Sequence, residues 1–328
     1  MLFPWSVSSG SPHWTKETGS EDLQEDTKGT KMSTSTRLSN IYENAKVIQY
    51  DARSKFVIAS DCHRGIGNWG DNFLPNQNLY FAALKYYYQN DFTYIELGDG
   101  DELWENRNMQ QIIQVHSNVF WLLSRFYEDK RFYMLLGNHD KVKQSRKFLK
   151  QSCHQYYCDS ADEYFRLFPN LKVHEGIILH NWCNGLQLFL THGNQGDFIN
   201  DRGWRIGRFL VRYFWRPLEM VGVNDPTSAA KNYGKKKKIE KRLAGWAEEN
   251  NTILIAGHTH RPYFPSPGEG MYFNDGSCVH PRCITNLEIE NNKITLVKWS
   301  VKTREDRSLY VEREVLEGPV NLREYQRY

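Results

Sequence analysis

Phe56-Val57-Ile58-Ala59-Ser60-Asp61-Cys62-His63 decides how this chain is read. Four apolar residues are too short for a helix and suit a buried strand. At its end an acid and an imidazole stand two apart, so both project the same way from an extended backbone. The construction recurs four times downstream. The strand-like Phe92–Leu97 runs into Gly98-Asp99-Gly100-Asp101-Glu102, and Phe132–Leu136 into Gly137-Asn138-His139-Asp140. Leu186–Leu190 runs into Thr191-His192-Gly193, and Ile253–Ala256 into Gly257-His258-Thr259-His260.

Asn76–Gln89 and Met109–Phe126 carry apolar residues at helical spacing, the second as one long amphipathic helix. Strand–helix–strand alternation of this kind gives an α/β (α+β) layered domain. In open α/β sheets the functional loops gather at the carboxyl ends of strands, where all five segments fall. Asn184-Gly185 marks one hairpin turn and Asn291-Asn292-Lys293 another.

The 328 residues are 40% hydrophobic, 14% aromatic and 25% charged, which suits one large core. A net charge of +3 does not mark a nucleic-acid binder. The six cysteines form no CxxC pair and read as thiols. The N-terminus lacks a basic region followed by an apolar core, so the expected location is cytoplasmic. Residues 1–45 read as a disordered tail, poor in aliphatics, and residues 46–328 as the folded domain.

The five segments together offer carboxylate, amide and imidazole donors for two metal ions. A DxH or HxH alone usually means nothing, and GNHD alone is as readily a turn; five in order, each after a strand, leave little room for coincidence. Asp99, placed after a glycine that lets the chain turn, can bridge two cations with its two oxygens. Mixed nitrogen and oxygen donors suit Mn foremost, with Fe or Zn as alternatives, better than Ca. Two cations in one site suit water attack on a phosphate ester. Glu102 reads as a residue that orients a ligand, and Asp101 as a solvated acid.

The order DxH, GDxxE, GNHD, H and GHxH, over roughly residues 55–300, resembles the calcineurin-like metallophosphoesterases. The resemblance implies a two-sheet β-sandwich flanked by helices with a dinuclear site at one edge. It implies Asp61, His63, Asp99 and His260 around one metal, and Asp99, Asn138, His192 and His258 around the other. It makes His139 the catalytic histidine, with Asp140 as its orienting partner. Many members carry a histidine where this chain has Asn194. Gly257-His258-Thr259-His260-Arg261-Pro262 and the insertion before it look like the UDP-2,3-diacylglucosamine pyrophosphatase branch, which commonly has arginine at the place of His139.

The insertion, about residues 198–250, reads as helical and lid-like. In 204–220, Arg205, Arg208, Arg212 and Arg216 share one helix face among apolar residues. That face suits an acyl chain or an anionic membrane surface, and equally a helix packed on the core. Lys235–Lys238, Lys241 and Arg242 suit phosphates or a solvated face, and no interleaved aromatics favour nucleic acid. The expectation is a dinuclear-metal phosphoesterase or pyrophosphatase, acting on a lipid-linked or nucleotide-sugar phosphate and peripheral to a membrane. The alternatives are a nuclease or cyclic-nucleotide phosphodiesterase, and a non-catalytic binding scaffold on the same fold.

Overall fold

In the computed structural model, residues 33–158, 161–196, 209 and 233–326 are described. The strands are β1 (Lys46–Tyr50), β2 (Phe56–Ala59), β3 (Thr93–Glu96), β4 (Phe132–Leu135), β5 (Gln155–Cys158), β6 (Glu163–Arg166), β7 (Val173–His174), β8 (Gly176–Asn181), β9 (Gln187–Thr191), β10 (Ile253–Ala256), β11 (Tyr272–Asn274), β12 (Cys283–Glu290), β13 (Lys293–Thr303) and β14 (Leu309–Asn321). The helices are α1 (Thr34–Glu43), α2 (Gln77–Gln89), α3 (Met109–Val115), α4 (Ser117–Glu128), α5 (Arg146–Ser152) and α6 (Tyr233–Glu249).

Two sheets carry the domain, ordered β14-β13-β12-β2-β3-β4-β7 and β1-β8-β9-β10-β11. Strand alternation sets what packs where. In β2, Phe56 and Ile58 enter the core shared with the second sheet, while Val57 and Ala59 face the core beneath α2, α3 and α4. Ile95 and Leu135 follow the first pair, Tyr94 and Met134 the second. In β10, Ile253, Leu254, Ile255 and Ala256 are all buried, as a strand covered on both faces must be. This is the expected sandwich with flanking helices.

Both hairpins form, β8 with β9 and β12 with β13, antiparallel in each case. Three expectations change. First, the fold begins before residue 46: Thr34–Glu43 is a helix capped by Ser33, whose side chain accepts from Thr36 N, and it buries Leu38 and Ile41. Two aliphatics one turn apart were enough to seat it. Second, Met109–Phe126 is not one helix. It breaks at His116 (φ −107°, ψ 32°), whose buried ring bonds Gln77 Oε1 at 2.6 Å and Asp71 Oδ2 at 3.0 Å. Third, Tyr233–Glu249, inside the expected insertion, is a crossover helix. β9 and β10 are parallel neighbours, so the chain must pass over the sheet between them. α6 does so and buries Ile239, Leu243, Trp246 and Ala247. Of its lysines, Lys237 and Lys238 are exposed and Lys236 half-buried. The amphipathic 204–220 segment lies outside the described residues apart from Phe209, as does the tail through residue 32.

Candidate metal centre

Each motif falls just past a strand's carboxyl end: Asp61 and His63 after β2, Asp99 after β3, Asn138 after β4, His192 after β9, His258 and His260 after β10. The first four residues come from the seven-stranded sheet and the last three from the five-stranded one. The backbone turns sharply to gather them. Asp61, His63, Asp99, His258 and His260 all adopt left-handed φ, between 47° and 66°. That conformation is uncommon for residues with a side chain and persists where surrounding structure enforces it. Gly137 passes so close to Asp99 that a Cβ there would sit 2.0 Å from Oδ1.

The side chains converge. His260 Nε2 lies 3.1 Å from Asp61 Oδ1 and 3.3 Å from His63 Nε2. His192 Nε2 lies 3.1 Å from Asp99 Oδ2, and His63 Nε2 lies 3.9 Å from that same oxygen. Asp61, His63 and His260 bring ligand atoms within 4.8 Å of one another, and so do Asp99, His192 and His258.

The atoms turned away from this centre are bonded. Asp61 Oδ2 accepts from Ser60 Oγ at 2.6 Å and from His258 N at 2.8 Å. Asp99 Oδ1 accepts from His139 N at 2.8 Å. His192 Nδ1 donates to the Leu97 carbonyl at 3.0 Å, and His63 Nδ1 meets Glu102 Oε2 at 2.9 Å. Those bonds leave each ring's Nε2 as the inward nitrogen, the arrangement that fixes a ligand histidine. The inward atoms Asp61 Oδ1, Asn138 Oδ1, His192 Nε2 and His258 Nε2 are buried and lack a hydrogen-bond partner among the described residues. Burying so many polar atoms without partners is costly, and a cation would satisfy all four.

The charges divide the histidines. Burial opposes ionisation of Asp99, but His192 and His139 outweigh it and hold the carboxyl well below its usual range. Burial and the neighbouring His192 push His258 down to about 3, and burial lowers His260, so both rings are neutral at pH 7, as ligands must be. Against the same burial, Asp99 raises His192 to about 9, and Asp61 and Glu102 hold His63 well above its ordinary value, so a cation would displace a proton from each.

The family model of calcineurin-like phosphoesterases matches residues 54–262. The chain belongs to that family. Among solved structures, it is similar to a protein from Streptococcus pneumoniae TIGR4 described as a predicted phosphoesterase: 14% identity, 81% of this chain and 99% of that one covered, TM-score 0.33. It is also similar to a Vps29 single mutant from Entamoeba histolytica (12%, 80% and 99%, TM-score 0.36). A third is Vps29 from Chaetomium thermophilum (10%, 80% and 95%, TM-score 0.35). Comparison with curated proteins gives no match.

Membership in the calcineurin-like phosphoesterases implies divalent metal ions, and the orphaned atoms fit them. The possible ligand atoms fall into two groups, Asp61, His63 and His260 in one and Asp99, His192 and His258 in the other. One assignment changes. Asp140 does not orient His139; its oxygens accept from Gly137 N at 2.8 Å, Gly100 N at 3.2 Å and Lys143 Nζ at 3.0 Å. Glu102 takes that place, with Oε1 2.8 Å from His139 Nδ1, while also holding His63. Burial opposes a charged His139 ring, but Glu102 and then Asp99 outweigh it and hold its pKa above the ordinary value.

Asp101 is not a solvated acid either. It is fully buried, with Oδ1 2.7 Å from Arg64 Nε and Oδ2 2.5 Å from Lys143 Nζ. Arg64 also grips Glu96 at 2.8 and 2.9 Å, its guanidinium 5.1 Å from the Phe120 ring centroid. Arg64, Glu96, Lys143 and Trp104 went unread in the sequence. An arginine immediately after DxH was the available signal.

Proposed function

We propose that this chain is a dinuclear-metal-dependent hydrolase of a phosphate ester or pyrophosphate. The observation that carries the reading is the convergence around Asp99 of four buried donor atoms that lack a hydrogen-bond partner among the described residues. Asp61, His63, Asp99 and His260 would hold one cation, and Asp99, Asn138, His192 and His258 the other. The donor set favours manganese, with iron or zinc as alternatives. When bound, the cations supply an activated water and stabilise charge on the phosphoryl oxygens.

His139 supplies the proton. Its side chain keeps 22% of its surface, more than the 9% of His63. Glu102 occupies Nδ1, which leaves Nε2 to serve the substrate. The water oxygen bonds phosphorus as the bond to the leaving group breaks. The electron pair goes to the leaving oxygen, which takes the Nε2 proton; the proton lost by water returns to solvent, from which His139 is recharged. General acid help of this kind is worth roughly 10²–10⁴-fold.

We assign an amphipathic substrate, a lipid-linked or nucleotide-sugar phosphate, on the composition of residues 204–220. That basic and aromatic segment suits an acyl chain or an anionic bilayer surface. No helix among the described residues is long and apolar enough to cross a membrane. The test is hydrolysis by the manganese-reconstituted chain of a nitrophenyl monoester, a diester, a UDP-sugar, a diacylated UDP-sugar and single-stranded DNA, with and without chelator. Chelator-sensitive turnover favouring the diacylated substrate supports the full reading. Preference for DNA turns it to a nuclease. Absence of bound metal turns it to a binding scaffold. His139→Ala should keep its metal and lose activity.

A further inference from the structure

Trp104 lies two residues past Glu102 and is 4% exposed. Its ring lies flat against His139, with centroids 4.3 Å apart and planes 20° apart. Its Nε1 donates to the Asn138 carbonyl at 2.6 Å. The edge of His63 meets His139 from another side, at 4.6 Å and 85°. Glu102 holds His139 Nδ1.

These contacts do different things. The last side-chain torsion of histidine is broad, so ring orientation is weakly set by the residue itself. A carboxylate at Nδ1 fixes one point of the ring but lets its plane rock about that bond. A flat indole against one face stops the rocking. Trp104 is itself locked, because its N–H is committed to the peptide carbonyl just before His139. One side chain therefore ties the backbone of Asn138 to the plane of the next residue's ring.

We propose that Trp104 is a positioning residue for proton transfer: it sets the plane of the His139 imidazole so that Nε2–H faces the leaving-group oxygen. This rests on the reading of His139 as the acid. Trp104 acts through His139. A displacement of about 1 Å in such a donor costs on the order of 10²-fold.

Leaving-group chemistry separates this role from simple packing. An alkoxide needs a proton as its bond to phosphorus breaks, whereas nitrophenolate leaves with little help. The experiment measures kcat and KM of the manganese-reconstituted full chain on an alkyl phosphate and on nitrophenyl phosphate, for wild type, Trp104→Leu, Trp104→Phe and His139→Ala. Trp104→Leu should lower kcat on the alkyl ester about 100-fold and on the nitrophenyl ester less than about tenfold, with KM and bound manganese unchanged. Trp104→Phe, which keeps an aromatic face, should recover most of the loss. Equal loss on both esters, a loss carried by KM, or a phenylalanine variant as impaired as the leucine variant would overturn the role. Trp104→Met replaces the leucine variant if that one fails to fold, judged by circular dichroism and manganese content. If His139→Ala shows no leaving-group bias, the acid reading fails and takes this role with it. If His139→Ala is biased and the Trp104 variants are not, Trp104 alone is refuted. A wild type that hydrolyses neither ester sinks the phosphoesterase reading and this inference together.

Discussion

On one side of the Gly98–Glu102 loop, Asp61, Asn138, His192 and His258 present buried atoms with no hydrogen-bond partner among the described residues. On the other, Arg64 and Lys143 sit among Glu96, Asp101 and Asp140 with contacts of 2.5–3.0 Å. Both clusters are buried, and both are built of charged or ionisable side chains. The forward cluster is incomplete by itself; in the rear one Arg64 Nη1 and Asp101 Oδ2 also lack a hydrogen-bond partner among the described residues, but nearly every charge faces its opposite, Asp101 Oδ2 facing Lys143 Nζ. Burial alone therefore does not mark a functional site; the convergence of several unmet donor atoms on one point does. The rear cluster holds the loops that aim the forward one, through Asp140 to the amides of Gly137 and Gly100.

Four experiments would break or sharpen that contrast. Asp99→Asn has the largest expected effect: activity falls roughly 10³-fold and bound metal drops, read by hydrolysis and elemental analysis. With chelator present its urea midpoint should stay near that of the chelated wild type. A large shift would make Asp99 part of the scaffold. Lys143→Met removes the cation between Asp101 and Asp140, leaving Arg64 to face Asp101 alone, and should cost about 3–5 kcal/mol in urea unfolding of the chelated protein. An unchanged midpoint would mean that the rear cluster holds nothing in place.

The third experiment uses acid. Burial opposes a charged Asp101, but Arg64 and Lys143 hold it down to about 2. A carboxyl whose pKa is depressed on folding contributes fully above its unfolded value near 4. That contribution fades as pH falls toward the folded value and amounts to about 2 kcal/mol. Between pH 5 and pH 3 the wild type should thus lose stability that Asp101→Asn does not, a difference measurable in urea midpoints. The smallest effect is that of Glu102→Gln. Losing the carboxylate behind His63 and His139 should lower kcat about tenfold. It should also move the alkaline limb of the rate profile to lower pH, because the acid works only while protonated and Glu102 is what raises its pKa. A limb that stayed in place would reassign the proton donor.

The side chains that converge were legible in the sequence because carboxylates, an amide and imidazoles at five successive strand ends are an unusual pattern. The strands that lead into them were legible because short apolar runs bounded by polar residues have few other uses, whereas β1, β7, β11 and the largely exposed β14 carry no such run and went unread. What stayed hidden depends on contacts between distant positions. Arg64 meets Glu96 and Asp101 across 32 and 37 positions, and neither partner differs in sequence from a surface acid. Asp140, adjacent to His139, was the natural choice to orient it, but its side chain turns back to the loop amides and Glu102 arrives from 37 positions away. The break at His116 was masked by continuous apolar spacing, and only its partners Asp71 and Gln77 explain it. Left-handed backbone at the site leaves only a weak trace, in Asp and His, the residue types that tolerate it best after Asn and glycine.

His63 and His260 lie 197 positions apart, one on each sheet, and their ring nitrogens meet at 3.3 Å. Neither half of the sandwich can complete the centre before the other docks. The centre is thus a rivet driven last: a partly folded chain holds only half of its hole, and a cation that closed it would pin together segments far apart in the sequence. Metal uptake would then serve as a certificate that folding is finished, and loss of metal as the first loosening of the seam.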